Sequence, residues 1–198
     1  MDDFTRDNSS PSDPEPEWDA EHPETKRHLL IALFPSTDVQ VAIEKHREAW
    51  IWPKGHYFPA GPRLHLTLQC FADQSQEAIH HLDEALSGVP MQSMALKLAT
   101  SRTWNNNLSV IQPAEHMGLH VLRANIVRAV QQSGISVHPT KFTPHITIAR
   151  RTTGALYPRS LQPIPWTVKN FLLVRSFTSH PVRHEVLASY GPEEDDDV

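Results

Sequence analysis

Two short stretches of this chain alternate apolar and polar residues with a period of two, and each sets a histidine and a threonine on its polar side. In "RLHLTLQCF" (63–71), Leu64, Leu66 and Leu68 alternate with Arg63, His65, Thr67 and Gln69. In "PHITI" (144–148), Ile146 and Ile148 alternate with His145 and Thr147. Successive side chains of a strand point to opposite faces, so both read as half-buried β-strands with a His/Thr front. A chain with 13 histidines and, by count, 13 threonines holds about one H-x-T by chance, and His138-Pro139-Thr140 carries no weight on that ground. Requiring an apolar residue after both the His and the Thr lowers the expectation to about 0.13. Two such copies are a signal.

The surrounding pattern places these strands in an α+β chain. "RHLLIALF" (27–34) reads as a buried strand ended by Pro35. Thr37 or Asp38 caps a helix to Trp50, with Val39, Ile43, His46 and Trp50 on one face. "WPKGHYFPAGP" (52–62) is a loop, and Asp73 with Gln76 reads as a cap for a helix to about Leu86. "SMALKLAT" and "LSVIQP" read as strands around a loop "SRTWNNN". Residues 114–133 predict an amphipathic helix, with Met117, Val121, Leu122, Ile126 and Val130 inward and Gly134 as its stop. Strands follow near 166–177 and 182–190. The expected architecture is bilobed and internally duplicated: two antiparallel sheets flanking a central cleft, helices on the outer faces, one H-x-T strand in each lobe.

Charge divides the chain. Residues 1–25 carry nine acids and one base, and residues 193–197 five acids, which leaves residues 26–192 at a net +8. The polar, acidic ends (1–25 and 192–198) read as disordered tails around one domain at 26–191. A basic body favours a polyanion such as RNA or a phosphorylated ligand. The single cysteine, Cys70, excludes an internal disulfide and a cysteine-based zinc site, and suits a cytoplasmic setting. No apolar run approaches a membrane span, so no membrane partner is expected. No phosphate-binding glycine loop and no H-E-x-x-H spacing occurs, so neither cofactor nor metal is expected.

Two imidazoles facing one cleft can divide a proton transfer, one taking and one giving, while two hydroxyls hold the oxygens of a phosphate. That set serves in-line displacement at phosphorus. "HLTL" (65–68) and "HITI" (145–148) resemble the paired motifs of the 2H phosphoesterase superfamily. Within it, "KFTPHITIARR", "LLIALFP" and "RLHLTLQCF" are most similar to the RNA 2′,3′-cyclic phosphodiesterases, also named 2′-5′ RNA ligases (LigT-like). The resemblance implies the bilobed fold, His65 as proton donor, His145 as proton acceptor, and Thr67 and Thr147 as phosphate-binding residues. It implies Arg150 as a further phosphate contact, whereas strict alternation points to Arg151; Arg63 shares the His65 face. Trp104 and Tyr57 are candidates for stacking on a base. The implied substrate is RNA ending in a 2′,3′-cyclic phosphate, or a cyclic nucleotide, opened to a 2′-phosphate by a monomer. End-joining through a 2′-5′ bond and a non-catalytic RNA-binding module are the alternatives. His28, His46, His80, His81, His116, His120, His180 and His184 are read as having no role.

Overall fold

The computed structural model describes residues 4–5, 27–105, 107–138, 140–158, 160, 162–178 and 182–192. The acidic segments read as tails lie almost wholly outside them; Phe4–Thr5 forms a two-residue antiparallel ladder with Tyr157–Pro158.

Eight further strands form one antiparallel sheet: β1 Arg27–Leu33, β2 Leu66–Ala72, β3 Met94–Trp104, β4 Leu108–Pro113, β5 Ile146–Arg150, β6 Ile164–Val168, β7 Phe171–Phe177 and β8 Arg183–Tyr190. Their order across the sheet is β8-β7-β1-β2-β5-β4-β3-β6. The two separate sheets expected from the sequence are therefore joined, but narrowly. β2 and β5 meet at a single backbone pair, Leu66 with Ile146. Every other neighbouring pair runs for four or more residues. The sheet thus consists of two four-stranded halves with the H-x-T strands at their shared seam.

The halves do not follow chain order. The last two strands return to the first half, β7 pairing with β1 and β8 with β7, and β3 to β6 make the second. A strand–helix–strand unit recurs across this division. β1, helix α1 (Thr37–Arg47) and β2 match β4, helix α3 (Met117–Gln132) and β5, and in each unit the second strand carries the motif.

Helix α1 holds Asp38 in its first turn and Lys45, His46 and Arg47 in its last, as the helix dipole favours. Helix α2 (Gln76–Ser87) is capped by Ser75, whose Oγ accepts the Ala78 N–H at 3.2 Å. Asp73, the expected cap, instead pairs with Arg27 at 2.7 Å and Arg175 at 3.0 Å and ties β1 to β7. Helix α3 ends in a Schellman turn: Gly134, at φ +85°, donates to Gln131 O, and Ile135 donates to Val130 O. Its inward face is Leu119, Leu122, Ile126, Ala129 and Val130, while Met117 and Val121 are exposed.

All three helices cover one face of the sheet. There Leu29, Ile31, Leu33, Leu64, Leu66 and Leu68 of the first half meet Leu96, Leu98, Ile111, Ile146 and Ile148 of the second in one continuous core. Helix α1 packs on β6 and α3 on β2, so helices from each unit reach across the seam. Among the described residues, the opposite face carries two small apolar clusters, Leu30, Ala32 and Val174 in one half and Trp104, Leu108 and Val110 in the other. The cleft lies on that face, between them.

Candidate active site

His65 and His145 each stand one residue before their strand begins, and the two are built alike. His65 Nδ1 lies 2.8 Å from the Arg63 carbonyl, and His145 Nδ1 lies 2.8 Å from the Thr143 carbonyl. A carbonyl can only accept, so each ring carries its hydrogen on Nδ1 and turns Nε2 away from its own backbone. The match continues along both strands. The register of β1 against β2 slips at Leu68, and that of β4 against β5 slips at Ile148. Each slip is a β-bulge one residue after the motif threonine, and a bulge reverses the facing of everything beyond it. Residues 65, 67 and 70 therefore share the cleft face in one half, and 145, 147 and 150 in the other.

The bulge decides which arginine lines the cleft. Arg150 lines the cleft with Thr147. Arg151 is exposed outside it, at φ +58°, a left-handed conformation that stops the strand at once. Arg63 sits in a short 3₁₀ turn rather than on the strand, yet it also lines the cleft.

Together these residues surround a cavity of about 160 Å³. Thr67 and Thr147 are half-buried in its wall, and neither hydroxyl bonds another described residue. Arg63 Nε and His184 Nδ1 are buried without a partner among the described residues. Buried polar atoms left unpaired are costly; Arg63 Nε can only donate, whereas His184 Nδ1 donates or accepts according to the tautomer of its ring. His184, from β8, is a site residue that the sequence pattern does not reveal; its ring centroid is 5.2 Å from that of His65. His28, Cys70, Ser176 and Thr178 complete the first-half wall. The second half contributes His145, Thr147 and Arg150 to the lining.

Trp104 is thus a correction. The sequence pattern sets it in a polar loop, free to meet a base, but β3 runs through that segment to Trp104 itself. The indole is 7% exposed, and its ring stands edge-on to His145 at 4.5 Å between centroids. It walls the histidine instead. Tyr57 remains 44% exposed at the rim, where its hydroxyl accepts from Arg63 Nη1 at 2.7 Å. Its backbone exchanges two hydrogen bonds with Arg150, at 2.9 and 3.0 Å, and so clamps the 52–62 loop beside the site.

The environment acts strongly on His65. Burial, foremost, and then the nearby His184 lower its pKa to about 3, with His145 and Arg150 adding to the effect. Burial and the Arg63 charge lower His184 to about 4. Among the described residues, no group of three or more His, Cys, Asp or Glu is arranged to hold a metal ion. No helix among them is long and apolar enough to cross a membrane.

A family model for the 2′-5′ RNA ligase superfamily matches residues 35–178, well over half of the chain. The chain belongs to the 2′-5′ RNA ligase superfamily. This is the LigT-like group of 2H phosphoesterases, which includes cyclic phosphodiesterases and 2′-5′ ligases. Comparison with curated proteins by sequence finds no match. Among solved structures, a crystallised phosphoesterase superposes with a TM-score of 0.72 at 21% identity, covering 83% of this chain and 98% of the other. LigT of E. coli in complex with 3′-AMP gives a TM-score of 0.71 at 21% identity, covering 83% and 97%. TT0787 of Thermus thermophilus gives 0.67 at 22% identity, again covering 83% and 97%. At these identities the likeness is one of fold, and it covers nearly the whole of each of those chains.

Proposed function

We propose that this protein opens terminal 2′,3′-cyclic phosphates of RNA or nucleotides to a 2′-phosphate by acid–base catalysis between His65 and His145. The observation that supports it best is the twofold repetition of one device. A histidine held through Nδ1 by a backbone carbonyl stands beside a half-buried threonine at the same cavity, once from each half. The structure of E. coli LigT with 3′-AMP, a nucleoside monophosphate, agrees with a ligand of that class here.

In this reading Thr67 and Thr147 donate hydrogen bonds to the non-bridging phosphate oxygens, and Arg63 and Arg150 balance their charge. His145 Nε2 takes a proton from a water molecule, whose oxygen bonds to phosphorus. The P–O3′ bond breaks, and His65 gives the leaving O3′ its proton. One water is consumed, and the product carries a 2′-phosphate and a 3′-hydroxyl. A donor must be protonated beforehand, which His65 resists in the empty cavity. The phosphodiester anion supplies the opposite charge and raises its basicity when it binds. Acid and base are thereby assembled by the substrate itself.

The test is turnover of an RNA oligomer ending in 2′,3′-cyclic phosphate, in excess EDTA, by wild type, His65→Ala and His145→Ala. The expected loss is about 100-fold or more in each variant, the usual scale of acid–base catalysis. Turnover indifferent to both substitutions, or abolished by EDTA in the wild type, overturns the reading. Mapping the product phosphate to the 3′ position would overturn the assignment of O3′ as leaving group.

A further inference from the structure

Tyr57 holds both of the arginines that line the cavity. Its hydroxyl accepts from Arg63 Nη1 at 2.7 Å, and its backbone N–H and carbonyl both pair with Arg150, at the end of β5. β2 and β5 themselves meet at a single backbone pair, so this loop residue is a second tie across the seam.

The rest of Arg63 is fixed through its backbone. It closes the 3₁₀ turn Gly61–Arg63, in which its N–H donates to the Ala60 carbonyl at 2.8 Å and the Leu64 N–H to the Gly61 carbonyl at 3.0 Å. The turn is seated closely on helix α1: a Cβ added at Gly61 would stand 2.8 Å from Gln40 Oε1. The Arg63 carbonyl in turn holds His65 Nδ1. What the backbone leaves free is a long side chain with several rotamers to lose on binding a ligand.

The Tyr57 hydroxyl selects among those rotamers. Nη1 is the terminal nitrogen on the Cδ side of the guanidinium, so a bond there leaves the other edge, Nε–H with Nη2–H, untouched. That edge is a bidentate face of the fork, matched to two oxygens of one phosphate. Nε is buried with no partner among the described residues, and Nη2 hydrogen-bonds none of them. A tyrosine hydroxyl is a neutral acceptor, so it orients the cation without balancing its charge. Among the described residues that line the cavity there is no carboxylate to balance it either.

We propose that Tyr57 is a positioning residue, whose hydroxyl presets Arg63 so that the Nε–Nη2 edge meets the phosphate on entry. The inference rests on the reading of the cavity as a cyclic-phosphate site, and it gives the rim tyrosine a role exerted through Arg63. Presetting removes the need to order a long side chain during binding, which lowers KM. The phosphate keeps this contact in the bound substrate and in the transition state, so kcat does not depend on it.

Tyr57→Phe removes the hydroxyl and keeps the ring and both backbone bonds, with thermal midpoints checking the fold. KM for a nucleoside 2′,3′-cyclic phosphate is expected to rise about 3- to 10-fold, the scale of one hydrogen bond, with kcat within about twofold. Affinity for a nucleoside 2′-monophosphate, read by calorimetry, falls by the same factor. In the Arg63→Ala background, Tyr57→Phe changes neither quantity, because no side chain is left to position. Unchanged KM and affinity in Tyr57→Phe, a loss confined to kcat, or an equal loss in the Arg63→Ala background overturns the proposal. The calorimetric arm separates the two readings. If the wild type binds the monophosphate but turns over no cyclic phosphate, the catalytic reading falls. A Tyr57→Phe loss of affinity that vanishes without Arg63 then still supports the positioning role, and any other pattern rejects it. Failure of the wild type to bind either ligand rejects both.

Discussion

A histidine whose Nδ1–H is held by a carbonyl has only Nε2 left to exchange protons, so its state decides what it can do. At His65 that state follows the ligand. Burial and neighbouring positive groups keep the empty site neutral, with a pKa of about 3 against 6.5 in a free chain. On the proposed reading, binding of a phosphate monoester, such as the 2′-phosphate product, is expected to take up a proton. Calorimetry in buffers of different ionisation enthalpy is expected to read that uptake directly, with affinity falling as pH rises from about 3, and His65→Ala is expected to abolish the uptake. Trp104 acts on the other histidine. Trp104→Phe keeps the ring against His145, and the lost indole N–H had no partner among the described residues. It is expected to hold kcat within about threefold. Trp104→Ala opens a cavity beside the ring and lowers kcat about tenfold or more with little change in KM, since a misplaced base costs rate rather than binding. Steady-state kinetics of the two variants separates these outcomes.

The elements explain which of these residues the sequence exposes to a reader. His65, Thr67, His145 and Thr147 were legible because a period of two is the physical signature of a strand with one buried face. Arg150 was indicated only by the family resemblance, because the bulge at Ile148 that turns it into the cleft breaks the alternation, which on its own points to Arg151. Trp104 was misread because the polar neighbours Asn105, Asn106 and Asn107 blurred where β3 ends. His184, His28 and Ser176 reach the cavity only because β8, β7 and β1 lie side by side, and pairing order between distant strands is encoded by no local pattern. The helix stop at Gly134 was legible for the opposite reason. A left-handed residue after a helix is a local demand that glycine meets most cheaply. A Cβ added there meets nothing within 4 Å, so Gly134→Ala incurs backbone strain alone. Its expected cost is about 1–2 kcal/mol in urea denaturation, with an unchanged m-value.

For the whole molecule, stability is linked to pH through imidazoles that fold neutral. His46, His65 and His184 have pKa values lowered to about 4, 3 and 4, in each case chiefly by burial. Above pH 6.5 neither the folded nor the unfolded chain protonates them, and they leave stability unchanged. Below it the unfolded chain binds protons that the folded chain does not, so stability falls with acidification, and the loss levels off only below about pH 3, the value for His65. His46 can be isolated from the site: its Nε2 accepts the Trp50 indole N–H at 3.0 Å, a role that a glutamine carbonyl can fill. His46→Gln is expected to reduce the proton uptake on unfolding at pH 5 by about one, read as a shallower pH dependence of the urea midpoint. The seam between β2 and β5 carries a consequence of its own. With one backbone pair joining the halves, the spacing of the two histidines is set by apolar side chains and crossing helices rather than by a ladder of hydrogen bonds. Hydrogen-bonded ladders hold register stiffly, whereas packed side chains yield by fractions of an ångström to any change in their volume. The cleft in such a protein is adjustable from far away: a methyl group gained or lost beneath the sheet alters the gauge between His65 and His145 without touching either of them.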